Sequence, residues 1–272
     1  MNISATMRAA GRRAALGVAT LAVALAATIP AASAASVDEI VKRGSVRIGV
    51  LSGVPIYGTV DEAGNPAGYD IDVARTLAGY MGVKVELVPL TPPARIPALQ
   101  AGKVDFLVAT LAATPERAKA VMFTAPYSAF QMVIFANKSA PLATLADLNG
   151  KRIGVNRGSS QETALARANV PGLQIVRYQD DSTVVQALIA HQVDAAALPD
   201  GVAKDVMKQQ ANANLAIKFG FFNQPNAMAV RLEETEMRDW LNKSIVKMTG
   251  SGELNKISLK WTGNPLPDLA KP

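Results

Sequence analysis

The tetrapeptide Arg47-Ile48-Gly49-Val50, inside KRGSVRIGV (residues 42–50), returns as Arg152-Ile153-Gly154-Val155 inside NGKRIGVNRG (residues 149–158). Both copies read as short β-rich runs, and both follow a glycine, Gly44 or Gly150, that can close a preceding helix. A second repetition lies downstream of each. ALQAGKVDFLVAT (residues 98–110) and ALIAHQVDAAALP (residues 187–199) share Ala-Leu, Ala and Val-Asp at the same relative positions. Either match alone suits any alanine-rich α/β chain. Together, and in the same order, they predict two similar α/β units, each with RIGV as the first strand of its own sheet.

The stretches between support that grammar. Gly64-Asn65-Pro66 punctuates a hairpin-like turn, and YDIDVARTLAGYMG (residues 69–82) carries apolar residues at helical spacing, with an Asp start and a Gly82 stop. VKVELVPL (residues 83–90) is a strand, and RIPALQAGKVDFLVAT (residues 95–110) reads as helix, glycine turn and buried strand. Strands alternating with helices of these lengths imply α/β architecture with parallel strands.

Of 272 residues, 49% are hydrophobic and 18% charged, a globular balance long enough for one large domain or two lobes. Arg8, Arg12 and Arg13 precede an apolar run from Ala14 to Ile29, and Ala32-Ser33-Ala34 supplies small residues for cleavage. The run is shorter than the roughly 20 residues that span a bilayer, so residues 1–34 are expected to be a secretory signal peptide. Without those three arginines, 28 basic residues against 22 acidic become 25 against 22. The remaining cations are scattered, which gives nucleic-acid binding no support. There is no cysteine and one histidine, His191. Disulfides, thiolate metal sites and Cys/His nucleophiles are therefore excluded, and neither metal nor cofactor is expected.

Open α/β sheets hold ligands beyond the carboxyl ends of their strands, so the residues after Val50, Val108, Val155 and Ala197 are the candidates. Thr114-Pro115 can start a helix, which puts Arg117 in its first turn. A cation there opposes the helix dipole but makes sense if it grips an anion such as a carboxylate; pairing with a nearby acid such as Glu116 serves equally well. Ser159 and Glu162 have capping-box spacing, and the helix start beyond Gly158 offers free N–H groups and the hydroxyls of Ser159 and Ser160. Ordinary capping accounts for the same spacing. Asp200, in LPDG, could receive an ammonium group or simply belong to a turn.

With these residues in place, VRIGV, GYDIDVA, TPERA, FTAPY, DLNGKRIGVNRGSSQE and QVDAAALPD together resemble the periplasmic substrate-binding proteins of polar amino acid ABC transporters, the family 3 solute-binding proteins. The likeness runs from about Val46 to the C-terminus, and the ending KWTGNPLP is similar to the glutamate/aspartate-binding branch. It implies a two-lobed type II, Venus-flytrap fold with two crossover strands near Ser128–Val133 and Asn223–Val230. Lobe 1 would hold residues 37–130 and 228–272, and lobe 2 residues 131–227. By resemblance, Arg117 clamps the α-carboxylate of an amino acid, Thr110 and Ala112 supply hydroxyl or backbone N–H contacts, and Ser160 completes that site beside Ser159. Asp200 would bind the α-ammonium, Arg95 would contact the ligand side chain, and Tyr57 could cover it. The chain departs from the pattern at Ala109 and Ala112, where hydroxyl residues are common. It also has Pro199 at the usual place of the acid, Leu51 where the acidic branch has arginine, and Val54 where binders of basic amino acids stack a tyrosine.

These readings point to a periplasmic, monomeric receptor without catalytic residues. It would bind a polar amino acid, with the acidic ones as the candidate class, and pass it to a membrane ABC permease. A cyclohexadienyl dehydratase-like enzyme and a sensing protein without transport are the alternatives on the same fold.

Overall fold

A computed structural model describes residues 36–269; the signal peptide expected over residues 1–34 lies outside them. In the first half, α1 (Val37–Arg43) is closed by Gly44 at φ 74° and leads into β1 (Ser45–Leu51). A small hairpin of β2 (Thr59–Val60) and β3 (Pro66–Ala67) precedes α2 (Tyr69–Met81), β4 (Lys84–Leu90), α3 (Arg95–Gln100) and β5 (Phe106–Leu111). The single turn α4 (Pro115–Ala118) then leads to the long β6 (Met122–Asn137). The second half repeats the alternation with β7 (Arg152–Asn156), α5 (Ser160–Ala168), β8 (Gln174–Tyr178), α6 (Asp181–Ile189), β9 (Ala195–Pro199) and α7 (Asp200–Gln209). The equally long β10 (Leu215–Val230), α8 (Thr235–Gly250) and α9 (Glu253–Thr262) complete the described chain.

The expected two sheets are one. Its strand order is β4-β1-β5-β10-β6-β9-β7-β8. Three parallel strands centred on β1 and three centred on β7 are joined by β6 and β10, which pair antiparallel with each other along nearly their whole length. β10 pairs with β5 through Ala227 and Ala229, whereas β6 pairs with β9 through Met132–Phe135. The two long strands therefore carry the chain from one parallel unit to the other and back, and their continuous ladder joins the two units into one sheet.

The repeated sequence is the repeated structure. Arg47 begins the first RIGV, and its backbone N–H and guanidinium both donate to Asp105 of the Val-Asp pair, at 2.7 and 2.9 Å. Arg152 does the same to Asp194, at 2.8 Å for both contacts. In each unit the RIGV arginine thus ties the central strand to the turn before its neighbour, through the aspartate of the second repeated motif. The shared glycine allows close packing: a Cβ on Gly49 would stand 2.6 Å from Leu107, and one on Gly154 would stand 3.1 Å from Val184.

The core follows the strands. Ile48, Val50, Leu77, Phe106, Leu107 and Val108 are buried in the first unit, and Ile153, Val155, Leu165, Ala195 and Ala197 in the second. With few aromatic residues in the chain, the exception is a cluster of Tyr57, Tyr69 and Tyr127, whose neighbouring rings lie 6.1–6.2 Å apart. α8 and α9 pack back on α2, where Trp261 donates to Asp72 at 2.7 Å. His191 follows α6 at φ 56°, in the left-handed turn that glycine fills in the first repeat.

Candidate functional site

The carboxyl ends of β1, β5, β7 and β9, with the start of α6 beyond β8, converge on one cavity, as open α/β sheets arrange their ligand sites. It is lined by Leu51, Val54 and Tyr57 at and after the end of β1, Pro92 and Arg95 before and within α3, Thr110 on β5 and Arg117 on α4. From the other half come Asn156, Ser159, Ser160, Gln161, Asp181 and Pro199, with Gln224 from β10. Six of the eight residues singled out from sequence therefore border one space: Tyr57, Arg95, Thr110, Arg117, Ser159 and Ser160.

Arg117 is half-buried and aimed across the cleft. Thr114 caps the short α4 by accepting from the Arg117 N–H at 3.3 Å. The guanidinium donates to the Ala112 carbonyl at 3.1 Å and, across the cleft, to the Gly158 carbonyl at 2.8 Å. Its neighbour Glu116 bonds Arg167 instead and makes no hydrogen bond to the Arg117 guanidinium. Partial burial lowers the Arg117 pKa, with Glu116 opposing the shift. A cation without a bonded carboxylate, placed where two halves meet, is arranged for an anion.

The helix that faces it starts as the spacing predicts. Ser159 is the N-cap of α5 and accepts from the Glu162 N–H at 3.2 Å. The Glu162 carboxylate returns to the Gly158 N–H at 2.7 Å, one residue before the cap. This leaves the first two amides of α5, those of Ser160 and Gln161, pointing from the positive end of the helix. The Ser160 hydroxyl donates to the side-chain oxygen of Gln224. Gln224 in turn donates to Asn226 at 2.6 Å and, weakly, to the Thr110 carbonyl at 3.4 Å.

Thr110 holds a left-handed backbone at φ 42°, which is costly for a β-branched residue and marks a constrained position. Its N–H donates to the Tyr127 hydroxyl at 3.0 Å, and that hydroxyl donates to buried Asp70 at 2.6 Å. The Thr110 amide is thus already engaged, leaving its hydroxyl for other contacts. Ala112 does not line the cavity; it acts through the carbonyl that orients Arg117.

Arg95 is only 4% exposed, and it donates to the carbonyls of Pro92, Ala109 and Thr110, at 2.9, 2.8 and 3.4 Å. No carboxylate bonds to it among the described residues. Burial first, and the neighbouring Arg117 second, lower its pKa to about 9. Tyr57 is buried against Phe130, with ring centroids 5.0 Å apart, and walls the cavity as packing would require.

Asp200 is placed elsewhere. It is the first residue of α7, pairs with Lys204 at 2.7 Å, and borders a separate cavity behind Tyr57. Pro199, at the end of β9, stands on the site wall instead. The acid within the site is Asp181, 1% exposed, which accepts from the Asn156 side chain at 2.7 Å. Burial raises its pKa to about 7. Sequence reading passed over both residues. The signal available was their position: Asn156 ends β7, Asp181 follows β8, and ligand sites lie at strand ends.

Three further contacts span the halves. Ser182 donates to the Gly53 carbonyl through its N–H and hydroxyl, both at 3.2 Å, and Arg167 bonds Glu116 at 2.8 Å.

Known proteins share the sequence pattern and the fold. The sequence model for bacterial extracellular solute-binding proteins, family 3, matches residues 46–264. The L-cystine-binding protein of Escherichia coli (strain K12) is 28% identical over 93% of this chain and 96% of its own length. The histidine-binding periplasmic protein of Salmonella typhimurium is 30% identical over 79% of this chain and 86% of its own. Among solved structures, an ancestral arginine-binding protein bound to arginine is 36% identical, with a TM-score of 0.77, over 80% of this chain and 98% of the other.

Proposed function

Because the chain belongs to the bacterial extracellular solute-binding proteins, family 3, we propose that it is a periplasmic receptor for a polar amino acid, with the acidic ones as the preferred class. The ligand α-carboxylate lies between the Arg117 guanidinium and the amides of Ser160 and Gln161. The observation that carries this reading is the Arg117–Gly158 contact, which brings a cation with no acid of its own to the start of α5. The Thr110 hydroxyl and Ser160 complete the polar wall. Arg95, buried without a bonded carboxylate, favours a second acidic group on the ligand.

A ligand that touches both halves stabilises their closed arrangement by its differential affinity for that state. The lobes are residues 37–130 with 228–272, and residues 131–227, hinged on β6 and β10. The closed receptor, secreted as a monomer, delivers its ligand to a membrane ABC permease and performs no chemistry on it. One feature favours a second reading: Asp181 is a buried carboxyl group in the cleft, as a dehydratase on this fold would need. Turnover of arogenate or prephenate would establish the enzyme.

The receptor is tested by calorimetric titration with the standard amino acids. One-to-one binding of an acidic or other polar amino acid is expected; no heat from any of them would remove this ligand class.

A further inference from the structure

The carboxylate end of the ligand has an evident holder, but the ammonium end does not. Asp200 lies outside the cavity in an ion pair, and Pro199 stands on the wall without a proton acceptor in its side chain. The Thr110 carbonyl already receives Arg95 and Gln224. Ala112 carries no hydroxyl. On the opposite wall, however, two acceptors are bonded incompletely. The Asn156 side-chain amide donates to one oxygen of Asp181, and its own carbonyl oxygen is buried with no donor. The second Asp181 oxygen has no hydrogen-bond partner among the described residues, and Asp181 lines the cavity.

This pair is free for a ligand because other residues serve the local structure. Asp180, not Asp181, caps α6, accepting from the Thr183 N–H and hydroxyl at 2.8 Å each. Asn156, and Asp181 through it, also adjoin the helix start of the carboxylate grip. Asn156 ends β7, and its backbone carbonyl accepts from the N–H of Ser159, the N-cap of the anion-facing helix, at 3.2 Å. An acceptor one tight turn from the carboxylate site matches the α-ammonium of an amino acid, not a cationic group at the far end of a side chain.

Resting on the receptor reading above, we propose that Asp181 and the Asn156 side-chain carbonyl oxygen bind the α-ammonium of the ligand. A buried acceptor oxygen without a donor is costly to leave unmade, and an ammonium supplies the missing protons. The geometry also balances charge. A zwitterion puts its carboxylate at Arg117 and its ammonium at Asp181, and leaves Arg95 for an acidic side chain.

The test compares each amino acid that binds with its 2-oxo and 2-hydroxy analogues, which keep the carboxylate and lack the ammonium. Calorimetry is run on the intact mature protein and on Asp181→Asn, Asn156→Ser and Asp200→Asn variants, each first checked for an unchanged cooperative melt. Native protein should prefer the amino acid, and Asp181→Asn should lose about 10- to 100-fold toward it, the range expected for a charge-assisted contact. Its affinity for the oxo analogue should hardly move. Asn156→Ser should show a smaller loss with the same selectivity. Equal loss toward both ligands would make Asp181 merely structural and overturn the proposal. So would a selective loss on Asp200→Asn, or native protein that binds the oxo acid as tightly as the amino acid; that last result would leave the carboxylate grip intact. Failure to bind any amino acid would remove both the proposal and the receptor reading.

Discussion

Replacing Arg117 by Ala removes the guanidinium that the site directs at an anion. Its two bonds, to the carbonyls of Ala112 and Gly158, hold the fork in place across the cleft. A carboxylate accepting both prongs of such a fork gains about 1.5–3 kcal/mol per charge-assisted bond. Arg117 is only half-buried, so solvent screening trims the combined effect to about 2–4 kcal/mol. The expected loss of ligand affinity is therefore about 30- to 700-fold. Arg117→Lys keeps the charge but not the planar fork and should fall between native and Arg117→Ala. Calorimetry at fixed ionic strength reads all three proteins, with Arg167→Ala as a comparison. Arg167 also bridges the halves, but through an exposed, solvent-screened pair with Glu116, and its loss should move affinity far less than that of Arg117. An Arg117→Ala variant that melts normally and binds within about threefold of native would refute the reasoning.

Burial separates the two repeats in stability. The Asp105 side chain is fully buried and holds two arginines and a backbone N–H, whereas Asp194 is 37% exposed. Asp105→Ala should cost about 3 kcal/mol or more and Asp194→Ala about 1 kcal/mol, read by denaturant unfolding; equal costs would show that burial does not govern this pair. Gly49→Val should destabilise more than Gly154→Val, because even the first added carbon meets Leu107 at 2.6 Å in one and Val184 at 3.1 Å in the other. Acidity gives a further check. Burial raises Asp70 to about 8, against hydrogen bonding by Tyr127 and the charge of Arg95, and raises Asp181 to about 7, with Asp180 adding and Asn156 and Arg95 opposing. The folded state thus holds more protons than the unfolded one above the usual Asp pKa of about 4, so unliganded stability should fall as pH rises from there through about 8. Asp70→Asn should flatten the upper part of that slope in melts across this range, and a native melting temperature that rises with pH would contradict it. Ligand affinity should move the opposite way and increase through pH about 7, as Asp181 gains the charge that receives an ammonium.

Much of this was legible in particular residues. The two RIGV strands, the Val-Asp turns, the Thr114 and Ser159 caps and the position of Arg117 rest on local patterns, and local patterns survive into the fold. The resemblance placed the two crossover strands within β6 and β10, but their pairing into a single sheet was not legible, because it joins segments far apart in sequence. Asp181 was missed for a related reason. Asp180-Asp181 reads as an ordinary helix start, and only the fold shows that Asp180 caps α6 while Asp181 turns to Asn156. Asp200 was drawn to the site by its resemblance, and one residue of offset at the end of β9 moved it away from the cavity, beside Lys204.

The most direct measurement is a crystal structure of the protein with its tightest-binding amino acid. The ligand carboxylate should lie within hydrogen-bonding reach of both the Arg117 guanidinium and the Ser160 and Gln161 amides. A ligand seated outside the cleft, or one whose carboxylate touches neither group, would contradict the assignment.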